Sequence, residues 1–167
     1  MYPEIYSPSK YDRSDRWGRG SSENVFTCRH CQLKVYTQPI ISGVQNRNHC
    51  PYCLWSRHVD HTQPGDRMSA CKAIMQPIGL TIKHGRNKYG NRWNSELMLI
   101  HCCSECGKLS INRIAADDLA ERLMGIFHAS LQLDLLTRQY LKASGIRLLQ
   151  GVDHKLVINQ LYGITLQ

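Results

Sequence analysis

Residues 28–53 read CRHCQLKVYTQPIISGVQNRNHCPYC, and a CxxC knuckle stands at each end of this stretch. A CxxC turn directs two thiolates at one point, and two such turns on adjacent hairpins complete the tetrahedron that Zn2+ prefers. We therefore predict a zinc ion held by Cys28, Cys31, Cys50 and Cys53. Four protein ligands leave no open coordination position, so the expected role is structural. Disulfides or a redox-active CxxC pair are the alternatives.

A third knuckle, Cys103-x2-Cys106, has no matching CxxC, so its partners must come singly from elsewhere in the chain. Cys71 is the expected third ligand of a second zinc ion. We favour His58 as the fourth, because it closely follows the first pair of knuckles and imidazole suits a mixed site. The open alternatives for that position are His61, His101 and Cys102. A metal-free knuckle with a buried Cys71 thiol is a further alternative.

The cysteine content separates two classes of small protein. The chain has 167 residues with 8 Cys and only 2 Phe, so burial of apolar side chains alone gives a thin core. A short cysteine-rich chain is either secreted and disulfide-bonded or intracellular and metal-bound. Residues 1–20 contain no apolar run typical of a signal peptide, and no segment approaches the length of a membrane span. We therefore expect a cytoplasmic protein with reduced thiols and no membrane partner.

The formal charge of +8 is concentrated in the middle of the chain. Lys and Arg number 12 against 4 Asp and Glu in residues 24–113, whereas the two kinds balance in residues 1–23 and 114–167. A basic surface on one module is typical of proteins that bind nucleic acid. Bound zinc offsets part of the excess, because four thiolates around one Zn2+ carry about two negative charges. We expect a positive remainder of several charges.

Two segments would present these cations to RNA. Residues 1–23 interleave Tyr and Trp with cations and lack apolar periodicity, so we expect a disordered arm whose rings stack on bases; a plain disordered tail is the alternative. Residues 84–94 (HGRNKYGNRWN) are typical of a basic hairpin loop. The residues predicted to contact nucleic acid are Lys10, Arg13, Arg16, Trp17, Arg19, Arg47, Arg86, Lys88 and Arg92.

The rest of the sequence predicts a small α+β fold. The expected strands are short β-leaning stretches at 25–27, 33–36, 79–83 and 96–101. After residue 113 the pattern becomes helical, with a capping box at Asp118 and Glu121, and further helices are expected at 131–143 and 153–162. The predicted organisation is a disordered basic and aromatic arm (1–23), a double zinc ribbon of β-hairpins (24–113) and a helical C-terminal extension (114–167). The leucine-rich extension packs on its own ribbon or on a partner.

The residues around the knuckles are similar to those of a known family. NVFTCxxC (24–31), RNHCPYCLWSRHVD (47–60) and PGDR (64–67) resemble the RNHCP family of small bacterial zinc-ribbon proteins, named for the pentapeptide. The resemblance continues through Cys71, MQPIG (75–79), HxCxxCG (101–107) and NRIA (112–115), and covers about residues 24–128. It implies a zinc-ribbon fold and carries little information about function. The arm, the enlarged loop at 84–94, Cys102 and the helical tail are additions to the family's usual form.

The preferred functional hypothesis is a non-catalytic zinc-ribbon protein that binds structured RNA, with the ribosome as the expected large target. The side chains of Arg47, Asn48 and His49 precede a metal-fixed knuckle and would read phosphates or base edges. Alternatively, Asn48 caps the knuckle turn and His49 donates a hydrogen bond to a zinc-bound sulfur. Ribosomal proteins are candidate partners of the C-terminal helices.

Two other function classes remain open. The first is a protein adaptor, whose helical tail docks on a transcription complex or another nucleic-acid complex. The second is a nuclease, because Asp60-His61-x-x-Pro64 resembles the first catalytic strand of HNH enzymes, in which the His activates water at a metal-bound phosphate. Such an enzyme needs an Asn and a second His on a downstream helix, and this chain offers only Asn112 and His128.

Overall fold

A computed structural model of the chain describes residues 24–83 and 95–164. In these residues the elements follow the order β1 (Val25–Thr27), β2 (Lys34–Tyr36), α1 (Pro39–Ser42), β3 (Ser56–Arg57), β4 (Ile74–Lys83), β5 (Glu96–Cys103), β6 (Leu109–Arg113), α2 (Ala120–Ser130), α3 (Leu135–Ala143) and α4 (His154–Tyr162). A 3-10 turn, Gly151–Asp153, leads into α4.

The predicted arm and basic loop lie outside the described residues. Eight of the nine residues predicted to contact nucleic acid therefore also lie outside the described residues: Lys10, Arg13, Arg16, Trp17, Arg19, Arg86, Lys88 and Arg92.

The strands form two antiparallel sheets. β1 and β2 make a two-stranded hairpin in which Phe26 lies opposite Val35, and the second sheet has the order β3-β4-β5-β6. β4 and β5 pair along most of their length, with a shift in register between Pro77 and Gly79. Because proline has no N–H to donate to the ladder, a bulge beside Pro77 is expected.

The main hydrophobic core lies between the larger sheet and the C-terminal helices. The sheet contributes Leu80, Ile82, Leu97 and Leu99, and the helical part contributes Leu123, Met124, Phe127, Leu149 and Val157. A backbone hydrogen bond from Leu149 N to Leu80 O fixes the segment before α4 to the sheet. The leucine-rich tail therefore packs on this chain's own sheet, and residues on both sides of the predicted boundary at 113 share one core.

The small α+β class is confirmed, with differences in detail. The predicted strands at 79–83 and 96–101 are parts of longer strands, and β6 is an additional strand at the sheet edge. The predicted capping box is wrong: Leu119 is the N-cap of α2, and no side chain caps it. The Asp118 carboxylate accepts hydrogen bonds from residues further back in the chain instead, as described below.

Candidate metal centres

The first cluster joins two knuckle turns. Cys28 and Cys31 lie on the turn that connects β1 to β2, and Cys50 and Cys53 lie on the turn before β3. The Sγ atoms of Cys28 and Cys53 are 3.6 Å apart, as are those of Cys31 and Cys50, and all four sulfurs lie within 4.8 Å of one another. Zn–S bonds of about 2.3 Å in a tetrahedron place the sulfurs about 3.8 Å apart. The four thiols thus have the spacing of a four-cysteine zinc centre.

The second cluster draws its members from distant parts of the sequence. It consists of His58 after β3, Cys71 before β4, Cys103 at the end of β5 and Cys106 on the following turn. The Sγ atoms of Cys71 and Cys103 are 3.6 Å apart, and Cys106 Sγ lies 3.4 Å from His58 Nδ1. The structure therefore brings together the three cysteines and one histidine that the sequence favoured; metal binding by these particular residues stays a prediction.

The other candidates for the fourth position lie elsewhere. His101 is fully buried on β5, where its Nε2 lies 2.7 Å from Leu54 O and its Nδ1 accepts a hydrogen bond of 2.8 Å from Asn112 Nδ2. Cys102 Sγ lies 3.6 Å from Gly107 O. His61 is exposed on a loop. His101 therefore links β5 and β6 to the residue after the second knuckle instead of reaching the metal cluster.

The close packing of the thiol groups in the first cluster shifts their pKa values in opposite directions. Hydrogen bonds from Cys50 and Cys53 lower the pKa of Cys28. Sharing a proton with the Cys28 thiolate raises the pKa of Cys50 to about 12, and raises that of Cys53 as well. Four adjacent sulfurs cannot all ionise without compensating charge, and a divalent cation supplies that charge.

The environment of His58 suits a metal ligand. Burial lowers the pKa of the His58 imidazole, and the positive charges of Lys108 and Lys72 lower it further. The ring is therefore neutral at pH 7, with a lone pair to share at Nδ1, the atom that faces Cys106. Burial has the opposite effect on the thiol of Cys103 and raises its pKa to about 11. Both donor sets, four cysteines in one and three cysteines with a histidine in the other, are those of structural zinc sites, so the residues present fit two zinc ions.

The acidic residues near the second cluster are occupied by loop structure. The two oxygens of Asp60 accept hydrogen bonds from Gly65 N, Arg67 N and Asn48 Nδ2. Asp66 accepts from four backbone amides, and these bonds hold the pKa of its carboxyl well below the usual range. Neither carboxylate is placed as a general base.

The arrangement that the nuclease hypothesis requires does not form around His61. Asn112 lies on β6, not on a helix, and its amide is hydrogen-bonded to His101. His128 lies on α2 beside Phe127, with its ring 6.0 Å from that of His154. Nothing within residues 24–83 and 95–164 points to catalysis.

Arg47 is buried, and its charge is satisfied inside the protein. Its side chain is 0% exposed and donates to Asp117 Oδ2 at 2.8 Å, to Asp118 Oδ1 at 3.2 Å and to His49 O at 3.1 Å. A guanidinium that is paired with two carboxylates in the interior presents no charge at the surface, so this placement does not favour contact of Arg47 with nucleic acid, which stays a prediction. Asp117 has little in its local sequence to mark it as a partner of Arg47; the run of two aspartates at 117–118 is the signal that could have done so.

Asn48 and His49 also have internal partners. His49 Nε2 lies 2.7 Å from Asp118 Oδ2, and Asn48 bonds the side chains of Asp60 and Arg67. Of the two interpretations from the sequence, these contacts favour the structural one over the reading of RNA, with carboxylates and Arg67 as partners instead of the knuckle turn and a zinc-bound sulfur. The RNH tripeptide connects the second knuckle to the loop that carries Asp60 and to the start of α2.

The RNHCP domain model matches residues 23–124, more than half of the chain. The matched range contains both clusters and the buried Arg47–His49 network. No curated protein and no solved structure matches the chain. Within the described residues, no helix is long and apolar enough to cross a membrane. The family match agrees with the resemblance seen in the motifs: this chain belongs to the RNHCP domain family.

Proposed function

We propose that the two zinc centres scaffold a non-catalytic module that binds structured RNA, with a ribosomal particle as its target. The supporting observation is the charge of residues 24–113, where 12 Lys and Arg face 4 Asp and Glu. Zinc on four thiolates and zinc on three thiolates with an imidazole would contribute about −2 and −1, which leaves about +5, or about +4 once the internally paired Arg47 is set aside. A concentrated positive charge favours a polyanionic partner.

Several of these cations lie at or near the surface of the described residues. Lys34 and Lys83 are exposed. Lys72 Nζ donates to the carbonyl oxygen of Arg67, and Lys108 Nζ donates to that of His61, beside the second cluster. Because a carbonyl oxygen orients an ammonium group without cancelling its charge, both lysines retain the charge that a phosphate would meet.

The tips of the two knuckles of the first centre carry aromatic side chains. His30, on the first knuckle, is exposed and stacks on Trp55 with ring centroids 4.2 Å apart and an interplanar angle of 5°. Tyr52, on the second knuckle, is 44% exposed. Unpaired bases stack on rings of this kind in many RNA-binding modules. The metal-fixed turns would hold these rings in place for such contacts.

Sedimentation of the full chain in a sucrose gradient of cell lysate tests the proposal. We expect co-sedimentation with a ribosomal particle at low salt, and a shift toward the top of the gradient for the triple variant Arg86→Gln, Lys88→Gln, Arg92→Gln. Retention of the unmodified chain at high salt would mark contacts beyond charge. A chain that stays at the top of the gradient at both salt concentrations contradicts ribosome binding.

A protein adaptor is the second candidate, and one observation favours it. Leu135 and Leu136 begin α3 and are 76% and 78% exposed. Truncation after residue 130 would not test this candidate, because it removes Leu149 and Val157 from the main core. The double variant Leu135→Ser, Leu136→Ser leaves the core and the charge intact. The adaptor hypothesis predicts that this variant leaves its particle, whereas the RNA-binding hypothesis predicts that it remains bound.

A further inference from the structure

A basic cavity of about 400 Å3 lies between α3 and the segment that follows it. Its walls include Arg138 and Lys142 from the helix and Ile146, Arg147, Leu148 and Gln150 from the return segment. Gly145, with a φ of +71°, ends the helix in the left-handed conformation and turns the chain back. Hydrogen bonds from Ile146 N to Leu141 O and from Leu149 N to Leu80 O hold this segment in place. These two bonds attach the return segment, and with it one wall of this open cavity, to the helix and to the sheet.

Arg138 is held rigidly but has no carboxylate partner within residues 24–83 and 95–164. Its Nε donates to Leu133 O at 2.8 Å, its Nη2 to Leu131 O at 2.7 Å and its Nη1 to Gln150 Oε1 at 2.8 Å. All three acceptors are neutral carbonyl oxygens. They fix the guanidinium group while leaving its charge uncompensated, which is the arrangement expected of a preorganised anion contact.

Two further cations line the same cavity. Lys142 is exposed and lies one helical turn after Arg138, on the same face of α3. Arg147 donates through Nη2 to Asp153 Oδ1 at 2.6 Å, and its side chain is 43% exposed. The three cations and the single carboxylate of Asp153 leave a local charge of about +2, which exceeds the half negative charge at the C-terminus of a helix.

We propose that this cavity binds a phosphate group carried by a nucleotide that is either free or part of an RNA chain, the second case resting on the proposed function. A charge of about −2 on a phosphomonoester, or on two successive phosphodiesters, balances the local excess. The apolar walls formed by Ile146 and Leu148 offer contact to the sugar or base next to that phosphate. A volume of about 400 Å3 falls within the range of small-ligand pockets and accommodates more than a bare phosphate.

An NMR titration of the full zinc-loaded chain tests the site with defined probes. Adenosine 5′-monophosphate should produce saturable shifts in the amides of residues 138–150, whereas adenosine, which lacks the phosphate, should not. Lys142→Gln should weaken this binding about fivefold, because it removes one exposed cation next to the anion. Arg122→Gln is the matched control: it removes an exposed cation on α2 that does not line the cavity, and it should leave the affinity unchanged.

Two outcomes would overturn the proposal: an absence of saturable shifts in residues 138–150, or equal weakening by Lys142→Gln and Arg122→Gln, which would indicate attraction to net charge alone. A single-stranded pentauridylate distinguishes the sources of the phosphate. Shifts of the same amides at lower concentrations than adenosine monophosphate requires would assign the phosphate to RNA; shifts with the mononucleotide but not the oligonucleotide would assign it to a free nucleotide. The cavity lies outside residues 24–113, on which the proposed ribosome binding rests. The mononucleotide titration can therefore show binding even if the chain does not sediment with a ribosomal particle, so failure of one proposal is distinguishable from failure of the other.

Discussion

His49 Nε2 and Asp118 Oδ2 lie 2.7 Å apart, although 69 residues separate them in the chain. The same carboxylate accepts from Arg47 Nη2 and from Ala115 N, and it is fully buried. This contact attaches the second knuckle of the four-cysteine cluster to the segment that begins α2. The first metal centre and the helical core are therefore coupled through one aspartate.

Asp118→Asn should be strongly destabilising. It leaves Arg47 buried with one carboxylate instead of two and weakens the bond to His49, and breaking a buried ion pair costs about 3–5 kcal/mol. We expect the free energy of unfolding, measured by urea denaturation with excess zinc, to fall by about 3 kcal/mol. Glu96→Gln is the control, because the Glu96–Arg113 pair is exposed on both sides and should contribute less than about 1 kcal/mol. Equal losses in the two variants would contradict the coupling.

His101 should make the fold sensitive to mild acid. Burial lowers the pKa of His101 from its ordinary value of 6.5 to about 3, so the unfolded chain binds a proton that the folded chain does not. The stability that this difference contributes is therefore fully present above pH 6.5 and decreases as the pH falls toward 3. The expected loss between pH 7 and pH 5 is about 2 kcal/mol.

The His101→Gln variant isolates this contribution. Its unfolding free energy, measured with excess zinc, should change about 2 kcal/mol less between pH 7 and pH 5 than that of the unmodified chain. Protonation of the folded-state imidazole near pH 6, observed in its NMR titration, would show that burial does not keep His101 neutral.

Gly79, on β4, lies against the segment before α4. A Cβ atom at this position would lie 2.5 Å from Leu148 Cδ1 and 3.3 Å from Ser130 Cβ. Gly79→Val should therefore destabilise the fold by about 1–3 kcal/mol through overpacking, as read from thermal unfolding. Gly125→Ala on α2, where nothing lies within 4 Å of the added atom, should instead stabilise the protein by about 0.5–1 kcal/mol. A neutral Gly79→Val would mean that the two segments are not in close contact.

His58→Ala tests the composition of the second centre. Removing the only nitrogen donor of the cluster should weaken zinc binding there by at least about 100-fold, since even the loss of a residue behind the ligands costs about 10–100-fold. Competition with a chromophoric chelator measures this affinity. His61→Ala, three residues further along, is the control and should bind zinc like the unmodified chain. If His61→Ala bound zinc more weakly while His58→Ala bound it normally, His61 and not His58 would be the fourth ligand.

The metal clusters were the most predictable part of the molecule, because ligand spacing is a local property of the sequence. A CxxC turn fixes the geometry of its own two cysteines. The strand β1, which leads into the first knuckle, has the bounds predicted from the sequence. The second cluster was harder, since four scattered segments supply its ligands. His58 was favoured for its position and its donor chemistry, and the fold places it there.

The polar network was not predictable, because nothing local distinguishes a buried arginine from an exposed one. From the sequence alone, Arg47 is one of the cations of a basic surface. In the fold it pairs with Asp117 and Asp118, which lie about 70 positions further along the chain. Asp118 had the spacing of a helix cap, but a carboxylate between Arg47 and His49 has stronger partners than two backbone amides. β6 was missed because it is a five-residue edge strand of half-buried and exposed residues, whose alternation rests on only two apolar positions, Leu109 and Ile111.

Native mass spectrometry of the full chain, purified without chelator, tests the central claim most directly. The account predicts two zinc ions per chain, seven sulfur ligands and one nitrogen between them, and reduced cysteines throughout. Cys50→Ser, which removes one ligand of the first centre, should carry at most one tightly bound zinc ion and lose its native circular dichroism. A metal-free chain whose mass is lowered by disulfide formation, or a Cys50→Ser variant that retains two zinc ions and its native fold, would contradict it.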